Sequence, residues 1–307
     1  MHGIQRNGRK RVRPFAAVAA LTAAALLGQT AVTACDGPSA VQHGARPKAP
    51  RPSPSPTPVW DRSPASIAAV GDSITRGFDV CALLADCPEA SWATGTDAGV
   101  RSLAQRLLGP AAGDRSWNHA GSGARMADLP AQMTAAAARR PELVTVMAGA
   151  NDACRDSPDL MTPVKEFTAS FESAMRALRR TAPKAQVYVS SIPDLKRLWS
   201  TGRVNPLGLQ VWKLGICASM LGDAEDLSEA AGQRRDRVYE RVVAYNEALK
   251  DVCAKDRRCR YDGGAVFDYR FTGEQLSPWD SFHPGKDGQR RLAEIAYRQV
   301  TAAEPPA

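Results

Sequence analysis

Apolar positions along the chain fall into two periods. Short runs such as Ile67-Ala68-Ala69-Val70, Leu143-Val144-Thr145-Val146-Met147-Ala148 and Val187-Tyr188-Val189 have almost no polar face. A parallel strand covered on both sides requires such runs. Between them lie stretches where apolar residues return every three or four positions. Over 163–181 these are Val164, Phe167, Phe171, Met175 and Leu178, and near the end of the chain they are Leu292, Ile295, Ala296 and Val300. The pattern predicts strands at 66–70, 114–118, 142–148, 186–192 and 261–267. It predicts helices at 98–109, 125–139, 163–181, 226–255 and 286–302. Strand and helix in turn imply an α/β fold, a three-layer α/β/α sandwich around a central parallel sheet of about five strands. The stretch 195–232, with Trp199, Gly208, Trp212 and Gly215, has no strong period and reads as an insertion over the site.

The first 60 residues break this pattern. Arg9-Lys10-Arg11-Val12-Arg13 precedes an apolar run of 13 residues, Phe15 to Leu27. That run is too short to cross a membrane and fits the hydrophobic region of an export signal. Val32-Thr33-Ala34-Cys35 follows, an aliphatic residue, two small ones and a cysteine. It resembles the lipobox of bacterial lipoproteins, whose cysteine is lipidated and becomes the new N-terminus. The alternative is a plain secretory signal cut near Ala34. Pro38, Pro47, Pro50, Pro52, Pro54, Pro56 and Pro58 then punctuate a polar stretch, the composition of an extended tether. Residues 1–34 thus read as a lipoprotein signal peptide, 35–60 as a Pro-rich linker and 61–307 as the globular domain. The expected location is the extracellular face of the cell membrane, held by lipid at Cys35, or the medium.

Charge changes the picture only until it is located. The chain carries 40 basic and 32 acidic residues, a net charge of +8. Eight of the basic residues and one acid lie in 1–60, so 61–307 holds 32 against 31 and is nearly neutral at +1. No basic footprint remains for a polyanion, and nucleic acid is not an expected partner.

Seven cysteines are present. With Cys35 set aside, an even number in an exported chain reads as disulfides. Short spacing favours Cys81–Cys87 and Cys253–Cys259, which leaves Cys154–Cys217. A zinc site is disfavoured, because no Cys-x-x-Cys occurs and only His119 and His283 lie in the globular part.

The candidate chemistry begins at Gly71-Asp72-Ser73, directly after the first strand. A serine there sits where open α/β sheets place their ligands. Gly71 permits a sharp turn, and the Ser73 N–H can face a developing oxyanion. Serine needs a base, and the base needs an orienting acceptor. Asp280-Ser281-Phe282-His283-Pro284 supplies both: Asp280 can fold back onto Nδ1 of His283 and leave Nε2 for Ser73. Oxyanion donors are offered after the second strand by Asn118-His119-Ala120-Gly121-Ser122-Gly123. A further one follows the third strand, in Gly149-Ala150-Asn151-Asp152. His119 lacks an orienting carboxylate and reads as structural. Trp279, beside Asp280, is the tryptophan expected to line a pocket.

These four blocks resemble the SGNH (GDSL-type) hydrolases over roughly 65–303. The first block matches in Gly71-Asp72-Ser73, with Ile74 where leucine is usual. The glycine of the second falls on Gly123, with Gly121 close by. The asparagine of the third falls on Asn151, where Ala150 replaces the commoner glycine. The last matches in Asp280, His283 and Pro284. The resemblance implies a flavodoxin-like SGNH hydrolase fold, Ser73 as nucleophile, His283 as base, Asp280 as its acid partner, and Ser73, Gly123 and Asn151 as the oxyanion hole. Three disulfides also look like the secreted bacterial esterases of this family.

No metal or cofactor is implied. A Gly-x-Ser-x-Gly elbow and a P-loop are both absent from the sequence. The expectation is a monomeric serine ester hydrolase acting on lipid or small acyl esters through an acyl-enzyme. The alternative within that class is a carbohydrate O-acetyl esterase acting on polysaccharide. The rival from another class is a surface-binding lipoprotein that keeps the fold without catalysis.

Overall fold

The protein is described by a computed structural model over residues 59–304. The signal segment 1–34, Cys35 and the linker as far as Pro58 lie outside the described residues. Strand β1 (Ile67–Gly71) leads into the one-turn helix α1 (Ser73–Arg76). Next come α2 (Leu103–Leu108), α3 (Ala112–Arg115) and β2 (Ser116–Asn118). Helix α4 (Leu129–Ala138) precedes β3 (Leu143–Met147), and α5 (Ala150–Ala153) and α6 (Val164–Thr181) precede β4 (Gln186–Val189). Helices α7 (Leu195–Gly202), α8 (Pro206–Trp212), α9 (Ala218–Leu221) and α10 (Glu229–Ala254) follow, then β5 (Cys259–Tyr261) and α11 (Lys286–Thr301).

All five strands are parallel, in the order β2-β1-β3-β4-β5. Every residue of β1, β3 and β4 is buried, which is why these runs carry no alternating polar face. Helices α4, α6 and α10 pack together in one layer, while α2 and α11 pack against each other in another. On α6 the buried stripe is Phe167, Phe171, Ala174, Met175, Ala177 and Leu178, and on α11 it is Leu292, Ala293, Ala296 and Val300. The chain leaves β1 in one direction to reach β2 and returns to the other side for β3. That reversal makes the carboxyl ends of β1 and β3 the natural place for a site. In register, Val70 lies opposite Val146 and Gly71 opposite Met147.

Several predicted boundaries move, each for a local reason. The first helix begins at Leu103 rather than 98, because Ser102 closes a capping box with Gln105. The second strand starts at Ser116, since 112–115 turn helically as α3. The fifth strand is Cys259–Tyr261, not 261–267. Asp262 stops it: its carboxylate accepts from the N–H groups of Gly264 and Val266, and Gly263 and Gly264 take φ of +68° and +85°. The aperiodic stretch 195–232 is largely helical. Helices α7 and α8 are capped by Asp194 and Asn205, and each is too short for a period to show.

The chain forms three disulfides, Cys81–Cys87, Cys154–Cys217 and Cys253–Cys259. Bonds of this kind persist in oxidising compartments, which is consistent with an exported domain. Among the described residues, no helix is long and apolar enough to cross a membrane.

Candidate active site

The turn after β1 is forced. Gly71 has φ of +150°, and a Cβ there would stand 2.1 Å from the Met147 carbonyl oxygen. Only glycine allows β1 and β3 to approach this closely at their ends. Asp72 then caps α1, its side chain accepting from the Ile74 N–H at 3.0 Å. Ser73 is the first residue of α1. Neither its backbone N–H nor that of Gly123 donates to a protein acceptor among the described residues.

The loop before α11 brings the other groups to Ser73. The Ser277 N–H donates to the His283 carbonyl at 2.7 Å, and Leu276 bridges Pro284, which closes the loop at its base. Ser281 takes φ of +50° at its tip. Within it the Asp280 Oδ1 accepts from the N–H groups of Phe282 at 2.9 Å and His283 at 3.0 Å. Its Oδ2 meets His283 Nδ1, and His283 Nε2 lies 3.0 Å from Ser73 Oγ. Ser73 is 8 % exposed and Asp280 fully buried, while 13 % of the His283 side chain faces solvent.

Electrostatics follow from this burial. Desolvation works against a charged His283, but the carboxylates of Asp280, Asp79 and Asp72 outweigh it and raise the imidazole above its usual pKa. Desolvation also opposes the Asp280 carboxylate. His283 and the two loop N–H groups overcome it, so Asp280 sits below the usual carboxylate range.

The oxyanion candidates divide. Asn151 is the second residue of α5, after β3, and lines the same small pocket as Ser73 and His283. One hydrogen of its amide goes to the Ala124 carbonyl at 3.0 Å, tying the β3 loop to the β2 loop. Gly121 donates its N–H to the Gly71 carbonyl at 3.1 Å, so that group is occupied. Gly123, exposed and at φ of +78°, keeps its N–H free but does not line the pocket. His119 bonds through its backbone to Ala69 at 2.8 Å. Trp279 is half-buried and does not line the pocket, contrary to expectation.

The sequence reading missed two groups. Asp79, in a loop with φ of +57°, is fully buried beside the Asp280–His283 pair. Its carboxyl, that of Asp280 and the His283 ring have atoms within 4.8 Å of one another. Burial and the neighbouring Asp280 push Asp79 up to about 6. Nothing in the run Phe78-Asp79-Val80 marks it, because an aspartate after a turn is ordinary. The second is Trp212, whose Nε1 reaches the Asp280 backbone carbonyl.

Several solved structures are similar to this chain at low sequence identity. No curated protein matches the chain. Among solved structures, a catalytic mutant of an acetylxylan esterase from Geobacillus stearothermophilus shares 17% identity, with 80% of this chain and 97% of that one covered and a TM-score of 0.48. An extracellular lipase from Streptomyces rimosus shares 18%, covering 78% and 100% with a TM-score of 0.44. A family 3 carbohydrate esterase from Clostridium thermocellum shares 15%, covering 76% and 94%, also at 0.44. The family model for GDSL-like lipases and acylhydrolases matches residues 69–291, from the middle of β1 into α11. Spanning every element that builds the site, that match makes the chain a member of the GDSL-like lipase/acylhydrolase family and a hydrolase of ester bonds.

Proposed function

We propose that the chain hydrolyses carboxylic esters through an acyl-enzyme on Ser73, with His283 as general base and Asp280 as its orienting partner. The observation that carries this reading is the line of hydrogen bonds from Ser73 Oγ through the His283 ring to the buried Asp280. Ser73 Oγ attacks the ester carbonyl carbon as its proton passes to His283 Nε2. Asp280 holds the proton of Nδ1 in place and stabilises the imidazolium without taking the proton itself. The oxygen of the tetrahedral intermediate receives the free N–H of Ser73 and the second amide hydrogen of Asn151, and the free N–H of Gly123, outside the pocket lining, is the remaining candidate donor. When the carbon–oxygen bond to the alcohol breaks, His283 returns the proton to the departing oxygen. Water then adds by the same route in reverse and releases the acid.

Gly123 supports this reading by its unoccupied N–H, where that of Gly121 is already bonded. Lipidation at Cys35, with the Pro-rich linker as spacer, would place the activity at the membrane surface. The test of the chemistry is hydrolysis of p-nitrophenyl acetate by the purified chain and by Ser73→Ala. Loss of turnover in the variant supports the reading, and full turnover refutes it.

A further inference from the structure

The space beside Ser73 is small, and its walls are apolar. We infer that this chain is an esterase for short acyl groups, with an acyl pocket that takes acetyl and excludes chains of four carbons or more. The inference rests on the ester-hydrolase reading above. The cavity at the site has a volume of about 40 Å³. A cavity of about 150 Å³ is what holds a benzene ring, so this one leaves room for a group of about three heavy atoms. The methyl carbon, carbonyl carbon and carbonyl oxygen of an acetyl group are three.

The lining assigns the contents. Its polar groups are those of Ser73, Asn151 and His283, all engaged in the proposed reaction. The remaining walls are apolar and include Ile74, Leu195, Leu198, Ile216, Phe282 and the Cys154–Cys217 disulfide. A sugar or glycerol in that space would bury hydroxyls against groups that cannot bond them. An acyl methyl meets no such cost. The alcohol therefore stays outside, and its size is not limited by this cavity.

The walls are braced against one another, so a longer chain cannot simply push them aside. Leu195 and Leu198 stand on α7, and a Cβ on its Gly202 would lie 1.9 Å from the Ser281 carbonyl oxygen, so α7 and the His283 loop touch backbone to backbone. Ile216 precedes Cys217, which is bonded to Cys154 at the end of the loop that carries Asn151. Ser219 adds two more ties to that loop, its N–H to the Arg155 carbonyl at 2.7 Å and its hydroxyl to the Ala153 carbonyl at 2.8 Å. The stretch that the sequence shows as an aperiodic insertion is thus the far wall of the acyl pocket.

The test is the chain-length series of p-nitrophenyl acetate, butyrate and octanoate with the full purified chain, Ile216→Ala and Leu198→Ala. A fluorophosphonate label on Ser73 is measured in parallel. The expected kcat/KM falls at least about 10-fold from acetate to butyrate in the unmodified chain, and octanoate is slower still. Either variant narrows the acetate-to-butyrate ratio at least about 5-fold, approaching the roughly 10-fold that one methylene is worth at the low end in such a pocket. Octanoate hydrolysed as fast as acetate, with Ser73 labelled, overturns the short-acyl assignment and leaves the esterase reading intact. A steep series that neither variant relaxes overturns these walls as its cause. No hydrolysis of any ester together with no label overturns the esterase reading itself. If a variant does not fold, the series in the unmodified chain decides alone.

Discussion

Trp212 Nε1 donates to the backbone carbonyl of Asp280 at 2.5 Å. A helix of the insertion therefore holds the loop that carries Asp280 and His283, the proposed acid and base. Asn205 Nδ2 adds a bond to Ser281 Oγ at 2.7 Å, and the Trp212 ring meets Phe282 edge-on. Trp212→Phe keeps most of the packing and leaves the Asp280 carbonyl buried and unpaired, a cost of about 1–3 kcal/mol. The expected outcome is a lower kcat on p-nitrophenyl acetate with KM little changed, and a lower midpoint in urea unfolding. Unaltered kcat would mean that the insertion does not position Asp280.

The base role proposed for His283 fixes the sign of the pH dependence. His283 accepts a proton only when neutral, so activity falls as pH drops through its pKa. Because Asp280, Asp79 and Asp72 hold that pKa up against burial, the acidic limb of kcat/KM should have its midpoint above about 6.5. Asp79→Asn removes one anion that favours the imidazolium and should move the midpoint to lower pH. A titration of kcat/KM from pH 5 to 9 checks both, and a limb that does not move would separate Asp79 from the pair.

Stability should run the other way from that of a protein held by ionised carboxylates. Burial pushes Asp72 up to about 7 and Asp79 up to about 6, so the folded chain holds protons that the unfolded chain has released. Between about pH 4 and pH 7 the native state is the more protonated, and stability falls as pH rises through that window. The raised His283 acts in the same direction, its contribution present below about 6.5 and lost as pH climbs through the folded value. Asp280 acts oppositely but is already ionised in both states above about pH 5, so it does not change the sign. The thermal midpoint should be higher at pH 5 than at pH 8, with the difference smaller in Asp72→Asn.

Asn151→Ala removes the proposed oxyanion donor and the tie to Ala124 together. Turnover of p-nitrophenyl acetate should fall about 10²–10³-fold. Gly71→Ala should instead fail to fold stably, since its Cβ meets the backbone of β3. Comparing far-UV circular dichroism with kcat for the two variants separates the chemical role from the steric one.

Cys154 and Cys217 are 63 residues apart, whereas Cys81–Cys87 and Cys253–Cys259 each close a separation of six. Constraint of the unfolded chain grows with loop length, so replacing Cys154 and Cys217 by serine should cost about 2–4 kcal/mol in urea unfolding. Replacing Cys253 and Cys259 should cost less. The reverse order would show that the long bridge is strained or its loop already compact when unfolded.

What the sequence made legible was set by backbone demands. Gly71 ends an apolar run and is followed by a capping aspartate, so the turn that carries Ser73 is visible in the order of residues alone. The spacing of Asp280 and His283 allowed the fold-back that the loop makes. The fifth strand was misplaced because apolar content continues past Tyr261, while the stop lies in one carboxylate and two left-handed glycines. The helices of the insertion escaped notice because one or two turns show no period. Asp79 was invisible for another reason: its burial comes from contacts with a loop about 200 residues away, where Ser277 Oγ bonds its carbonyl.

The proposed role of Ser73 as nucleophile is most directly tested by trapping the acyl-enzyme. The chain is mixed with a slowly deacylating acetyl donor, quenched in acid, digested and read by mass spectrometry. One acetyl group is expected on the peptide containing Ser73, absent in Ser73→Ala and scarce when His283 is replaced by alanine. Turnover without any adduct on that peptide, or an adduct on a different side chain, would contradict it.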